Sequence, residues 1–139
     1  MRAVMISIKP EWVGKIHRRE KIWELRKSVP KTSDAHLYKV YDYETKSNGG
    51  KGKVVSEWVL KEYHVYFDDM TTKNERTVIC KNACVTEKQL AEYHRKGRGV
   101  IYAWQIEDLK IYDQPKELSE FGLTKAPQSW CHVEELGEK

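Results

Sequence analysis

Three charged side chains of different chemistry stand close together near the start of the chain, Lys21, Glu24 and Arg26 in the stretch KIWELR. A lysine amine crowded by a second cation and desolvated in a cleft has a lowered pKa and can serve as base or nucleophile. A carboxylate beside it can take or return a proton, and a guanidinium can hold an oxyanion or a phosphate. The same groups can bind without turnover, Lys21 and Arg26 engaging phosphates while an aromatic ring stacks on a base. They can also form an ion-pair cluster with a purely structural role. A Lys–Glu pair would keep the amine protonated, which opposes nucleophilic use.

The elements that must position these groups are legible in KPEWVGKIHRREKIWELR, residues 9–26. Pro10 suits a first helical position, where its missing N–H would have had no partner. Trp12, Val13 and Ile16 follow at the spacing of one helix face, with Lys15, His17, Arg18 and Arg19 opposite. After Arg19 the period changes to two: Trp23 and Leu25 alternate with Glu24 and Arg26, as in a strand with one buried face. Glu24 and Arg26 then share a face, roughly 7 Å apart at Cα and able to pair. If the strand begins at Ile22, Lys21 stands in the connection and can turn toward both.

Along the rest of the chain, AVMISI (3–8) reads as a buried first strand and residues 28–35 as a loop. Residues 37–44 form a second amphipathic strand, joined through SNGGKGK to a long β stretch at 54–67. That connection is a hairpin turn, since Asn-Gly and Gly-Gly supply the positive φ such turns need. Lys51 and Lys53 within it either contact phosphate or keep the turn soluble. The stretch 54–67 is too long for one ordinary strand and is expected to bend. Glu57 lies among its apolar neighbours, where it is either an acid or base facing a cleft or a strand-edge charge.

Residues 68–82 show no clear period and read as an exposed connection. Thr86 with Gln89 three places on is a capping-box pattern, starting a helix to Arg95 with Leu90 and Tyr93 inward. Arg95, Lys96 and Arg98 suit that helix's C-terminus and are also candidates for RNA contact. Residues 100–112 are strand-like, with a break at Glu107 and Asp108 that suggests a bulge. PKELSEFG reads as a short helix started by Pro115 and stopped by Gly122, and residues 129–134 as a closing strand.

At 139 residues the chain has the size of one domain, spanning 1–139, and five Trp, eight Tyr and two Phe provide for a core. No apolar run approaches a membrane span and no export signal is visible, so a soluble cytoplasmic protein is expected. Three cysteines at 80, 84 and 131 fit neither a disulfide scaffold nor zinc-ligand spacing. No metal or cofactor is expected. Residues 1–31 hold nine Lys or Arg against three acids, whereas residues 107–139 hold four against eight. A basic front can meet phosphates or be a solvated surface.

The triplet resembles the signature of the ASCH family: glycine, any residue, lysine, two residues, glutamate, any residue, arginine. Arg19, Lys21, Glu24 and Arg26 occupy those positions, so Arg19 replaces the glycine. Glycine there would permit a positive φ that arginine resists. The stretches VYDYETKSNGGKGKVVSEWV, YAWQIEDLKIYDQPKELSEF and APQSWCHVEE are similar to bacterial and prophage members, and together they cover most of the chain.

Five or six strands with two or three short helices argue for an α+β domain built round a small antiparallel barrel. The resemblance implies a PUA-like barrel with a cleft beside the helix-to-strand junction. It implies binding of RNA or a modified nucleoside; by residue chemistry Lys21 and Arg26 are the expected contacts, with Lys9, Trp12, Tyr43, Lys51 and Lys53 as further candidates. Trp23 is another candidate stacking ring. Some small relatives hydrolyse the amide of acetylated cytidine, and ribonuclease activity is attributed to others. The alternative is therefore an amidohydrolase with Lys21 central and Glu24 or Glu57 assisting, or a ribonuclease. In the amidohydrolase-like relatives a threonine occupies the position of Glu24.

Overall fold

The computed structural model describes residues 1–30, 37–96 and 99–137. In chain order the elements are β1 (Arg2–Ile8), α1 (Pro10–His17), β2 (Trp23–Arg26), β3 (Tyr38–Glu44), β4 (Lys53–Phe67), α2 (Lys73–Ala83), α3 (Glu87–Lys96), β5 (Val100–Lys116) and β6 (Trp130–Val133). Part of the expected loop at 28–35 and of the basic cluster at 95–98 lies outside the described residues.

The six strands form one sheet in the order β2-β5-β4-β3-β1-β6. The α+β class stands, but the sheet is mixed where a wholly antiparallel one was expected. β1 pairs parallel with β3, from Arg2 opposite Tyr38 to Ile8 opposite Glu44. The physical reason is the crossover through α1 and β2, which returns the chain to the same end of the sheet before β3 begins. Among the described residues no ladder joins the edge strands β2 and β6.

The long strands bend where the sequence breaks period. Along the β4–β5 pairing the register shifts three times, and Asp108 takes a positive φ of 55° at the expected break. A further shift between Asp42 and Tyr43 leaves Val55 as the extra residue of β4. Val55 packs with Ile8, Val13 and Ile16, so this bulge is where α1 seats on the sheet. The hairpin turn also touches α1. A Cβ at Gly50 would lie 1.7 Å from the Thr45 carbonyl oxygen and 2.6 Å from Pro10 Cγ, a space only glycine fits.

Trp58 and Trp104 fill the core between the two halves of the sheet with Val4, Ile6, Tyr38 and Val40. Their rings meet edge to face at 6.4 Å, a geometry that adds about 1 kcal/mol to area burial.

Two expectations need correction. Residues 73–83, read as part of an exposed connection, form α2, started by a reciprocal capping box between Thr72 and Glu75. Only Ile79 and Ala83 of this helix are buried, so its apolar stripe is too thin to show a period. Pro115 belongs to the end of β5, and the helix expected to start there is a single 3-10 turn, Leu118–Phe121, stopped by Gly122 at φ 73°. The capping box of α3 is as read: Thr86 and Gln89 each donate a backbone N–H to the other's side chain.

Candidate functional site

α1 is packed by Val13 and Ile16 and ends in a turn that reverses the chain into β2. Arg19, in the position where the signature has glycine, holds φ at 63° and keeps the left-handed geometry despite its side chain. Glu20 and Lys21 then both donate their backbone N–H to the Lys15 carbonyl, at 3.0 and 3.1 Å. Ile22 donates to the Asn82 carbonyl. The junction is thus tied to the last turn of α1 on one side and to the end of α2 on the other.

From this junction Lys21 turns inward and is 3% exposed. Its Nζ donates to the Ala83 carbonyl at 2.7 Å and lies 3.5 Å from Glu24 Oε1. The Trp12 ring lies under the same amine, 5.1 Å from its centroid. Burial pushes the Lys21 pKa below the ordinary lysine value, opposed by the Glu24 carboxylate and assisted by Arg26. An ammonium has three donors, and two of them have protein oxygens within reach, at Ala83 and Glu24.

Arg26 is the organiser of the group. Nε and Nη2 both donate to Glu24 Oε2, at 2.9 and 2.6 Å. Nη2 also donates to the Ser7 carbonyl at 2.9 Å, and Nη1 to both the carbonyl and Oγ of Ser129 at 3.2 Å. All five guanidinium N–H groups are therefore occupied. Because Ser7 lies on β1 and Ser129 directly precedes β6, this one side chain spans the gap between the edge strands where no ladder runs. Arg26 cannot take up a phosphate without giving up one of these partners.

These residues line a cleft of about 540 Å³ whose wall also includes Lys9, Trp12, Lys27, Gln89, Glu92 and Tyr93. Tyr93 donates its hydroxyl to the Leu25 carbonyl, and burial pushes its pKa up to about 12, so it stays a neutral donor. The charges of the wall are mixed, two acids, Glu24 and Glu92, standing among Lys9, Lys21, Arg26 and Lys27. At the floor a donor and an acceptor stand side by side, Lys21 Nζ and Glu24 Oε1.

Of the residues singled out in the sequence, Lys9, Trp12, Lys21, Glu24 and Arg26 share this cleft. The others lie elsewhere. Glu57 accepts from the Tyr112 hydroxyl at 2.8 Å and pairs with Lys39 at 3.0 Å, because alternation along β4 points it away from the face that carries Ser56. Tyr43 is buried with Ala3, Met5 and Val54. Lys53 pairs with Glu117 at 3.0 Å, and Lys51 is exposed on the turn, its backbone N–H bonded to Glu44. Trp23, the first residue of β2, is buried with Leu25 and Ile79. Ser7 and the Ala83 carbonyl were not singled out. Both act through backbone oxygens, which any residue carries, so no side-chain pattern marks them.

No family model and no curated protein matches this sequence. Among solved structures, the crystal structure of ASCH from Zymomonas mobilis matches with a TM-score of 0.74 at 19% identity, covering 96% of this chain and 88% of that one. Two single-substitution mutants of the same protein match with TM-scores of 0.75 and 0.72 at 18% and 17% identity. They cover 96% and 97% of this chain, and 89% and 92% of theirs. The chain has the fold of these ASCH domains. Among the described residues no helix is long and apolar enough to cross a membrane.

Proposed function

We propose that this ASCH-type domain acts in cytoplasmic RNA metabolism, its cleft recognising a base of RNA or a modified nucleoside. The observation that carries this reading is the pairing of Lys21 Nζ with Glu24 Oε1, 3.5 Å apart at the floor of the cleft. A donor next to an acceptor is the complement of a base edge, and unstacked bases are read through such edges. Trp12 on the cleft wall offers a face for stacking. Lys9 and Lys27 at the same wall supply charge for the backbone. Arg26, with every N–H engaged, serves by holding the carboxylate in place.

The test is binding of short single-stranded RNAs and of free and acylated nucleosides to the wild type and to Lys21→Met. The variant keeps an unbranched side chain one atom shorter than lysine and leaves Glu24 its stronger partner, Arg26. Binding in the wild type with loss in a folded Lys21→Met protein is the expected result. Equal binding by both proteins would remove the cleft from the account.

One observation favours a second reading, hydrolysis of an acylated cytidine: burial lowers the Lys21 pKa in spite of the adjacent carboxylate. Mass analysis after incubation with N4-acetylcytidine separates the two. Acetate release that Lys21→Met abolishes identifies an enzyme, and unchanged nucleoside leaves a binding domain.

A further inference from the structure

Behind the cleft a chain of hydrogen bonds runs from the surface into the core. His17 Nε2 lies 2.9 Å from Ser56 Oγ, and Ser56 Oγ lies 2.6 Å from Asp42 Oδ2. Trp58 Nε1 donates to the other oxygen, Asp42 Oδ1, at 2.8 Å. Asp42 and Ser56 are 1% and 0% exposed, whereas His17, the last residue of α1, is half-buried. The three meet where Val55 bulges from β4 to seat α1, and bulges commonly re-aim side chains beside functional sites.

An indole N–H only donates, so Oδ1 must accept and any proton on Asp42 sits on Oδ2. With Asp42 ionised, His17 Nε2–H donates to Ser56, and Ser56 donates to Oδ2. With Asp42 protonated the chain reverses: Oδ2–H donates to Ser56, and Ser56 donates to a bare Nε2. The two states are linked without opening the core. A proton taken from solvent at His17 Nδ1 lets the Nε2 proton pass to Ser56 Oγ and the Ser56 proton pass to Oδ2. The balance is one proton from water, and the imidazole ends neutral as the other tautomer.

We propose that His17, Ser56 and Asp42 form a proton relay that makes Asp42 a buried charge switch behind the cleft, anionic ligands binding more tightly when Asp42 is neutral. The charges facing Asp42 are Glu24, which opposes its ionisation, and Arg26, which favours it. Tyr112 of β5 also feels its charge. His17 faces Glu44 from β3, Lys51 from the hairpin turn, and Arg19. Coupling between sites is reciprocal, so a charge appearing on Asp42 makes the Glu24–Arg26 floor more negative. Burial pushes the Asp42 pKa up to about 7, the range in which such a switch would operate. The effect on RNA rests on the reading of the cleft given above, whereas the relay does not.

The experiment is a pH titration of the folded chain, following the Asp42 carboxyl carbon and the Glu24 and Arg26 amides by NMR, beside the affinity for a short single-stranded RNA of mixed sequence. The carboxyl is expected to titrate near neutrality with the two amides following it. RNA affinity should fall by about threefold or more from pH 6 to 8, and Asp42→Asn, which holds the chain in its neutral form, should flatten that fall. Ser56→Ala removes a hydrogen bond that favours the carboxylate, so the carboxyl and RNA midpoints should move upward together. A carboxyl that does not titrate between pH 5 and 9, or amides that do not follow it, overturns the switch, and neither needs a variant to fold. The same RNA slope in wild type and Asp42→Asn overturns it too. Coupled titration in a protein that binds no RNA supports the switch and removes the RNA reading of the cleft.

Discussion

Arg26 places two of its nitrogens on one oxygen of Glu24, Nε at 2.9 Å and Nη2 at 2.6 Å, and leaves the second oxygen to Lys21. The carboxylate is thereby divided between two jobs. Oε2 is consumed in closing the gap between the edge strands, and Oε1 is held beside the Lys21 amine at the floor of the cleft. Burying three charges together costs desolvation that the pairing only partly offsets. The two cations are bonded outward as well, Lys21 to the Ala83 carbonyl and Arg26 to the carbonyls of Ser7 and Ser129, which offsets part of that cost.

Arg26→Lys should therefore behave as a disruptive change. One ammonium cannot reach Glu24, Ser7 and Ser129 together, and it lacks the planar fork. A loss of about 2 kcal/mol or more is expected, in line with opening a buried pair. Urea unfolding measures it, and a loss under 0.5 kcal/mol, roughly the level of an exposed pair, would show that the gap closes by other means.

Trp12→Ala should leave the fold intact and weaken RNA binding. The ring is half-buried, with the Lys15 and Lys21 amines 4.7 and 5.1 Å from its centroid. Stacking one base on such a ring contributes about 1–3 kcal/mol. A drop in affinity of that size, with Trp12→Phe retaining most of it, is the expected outcome of fluorescence titration.

Arg19→Gly should stabilise the chain. Arg19 sits at φ 63°, a conformation that costs a residue with a Cβ about 1–2 kcal/mol. Part of that gain is offset by the greater freedom of glycine in the unfolded chain. A net increase of about 0.5–1 kcal/mol in chemical denaturation is expected. Cleft geometry should not change, because the junction is already in the glycine conformation.

Asp42→Asn should alter how stability depends on pH. The folded carboxyl holds its proton up to about pH 7, whereas an unfolded aspartate releases it near about 3.9. The folded state thus binds more protons between those values. The contribution of Asp42 to stability is fully present below about pH 3.9 and is lost as pH rises through about 7. Urea midpoints across this window should decline less with rising pH in Asp42→Asn than in the wild type. Parallel curves for the two proteins would mean that Asp42 is ionised throughout.

Local periodicity determined much of this molecule. The helix from Pro10, the strand carrying Glu24 and Arg26, the hairpin at Asn48 to Gly50, the break at Asp108 and the Thr86–Gln89 cap all depend on neighbours within a few residues. The change of period at the junction allowed Lys21 to stand in a turn if the strand began after it, and the structure decided that its amine approaches Glu24. Tertiary structure alone decided the rest. The parallel pairing of β1 with β3, the partners of Arg26 at Ser7 and Ser129, and the Ala83 carbonyl on Lys21 join residues distant in sequence, each at least in part through backbone atoms that carry no residue identity. Glu57 and Asp42 show the limit most clearly. Both are acids on amphipathic strands, and only the bulge at Val55 and the packing of α1 turned one toward Tyr112 and sealed the other behind the cleft.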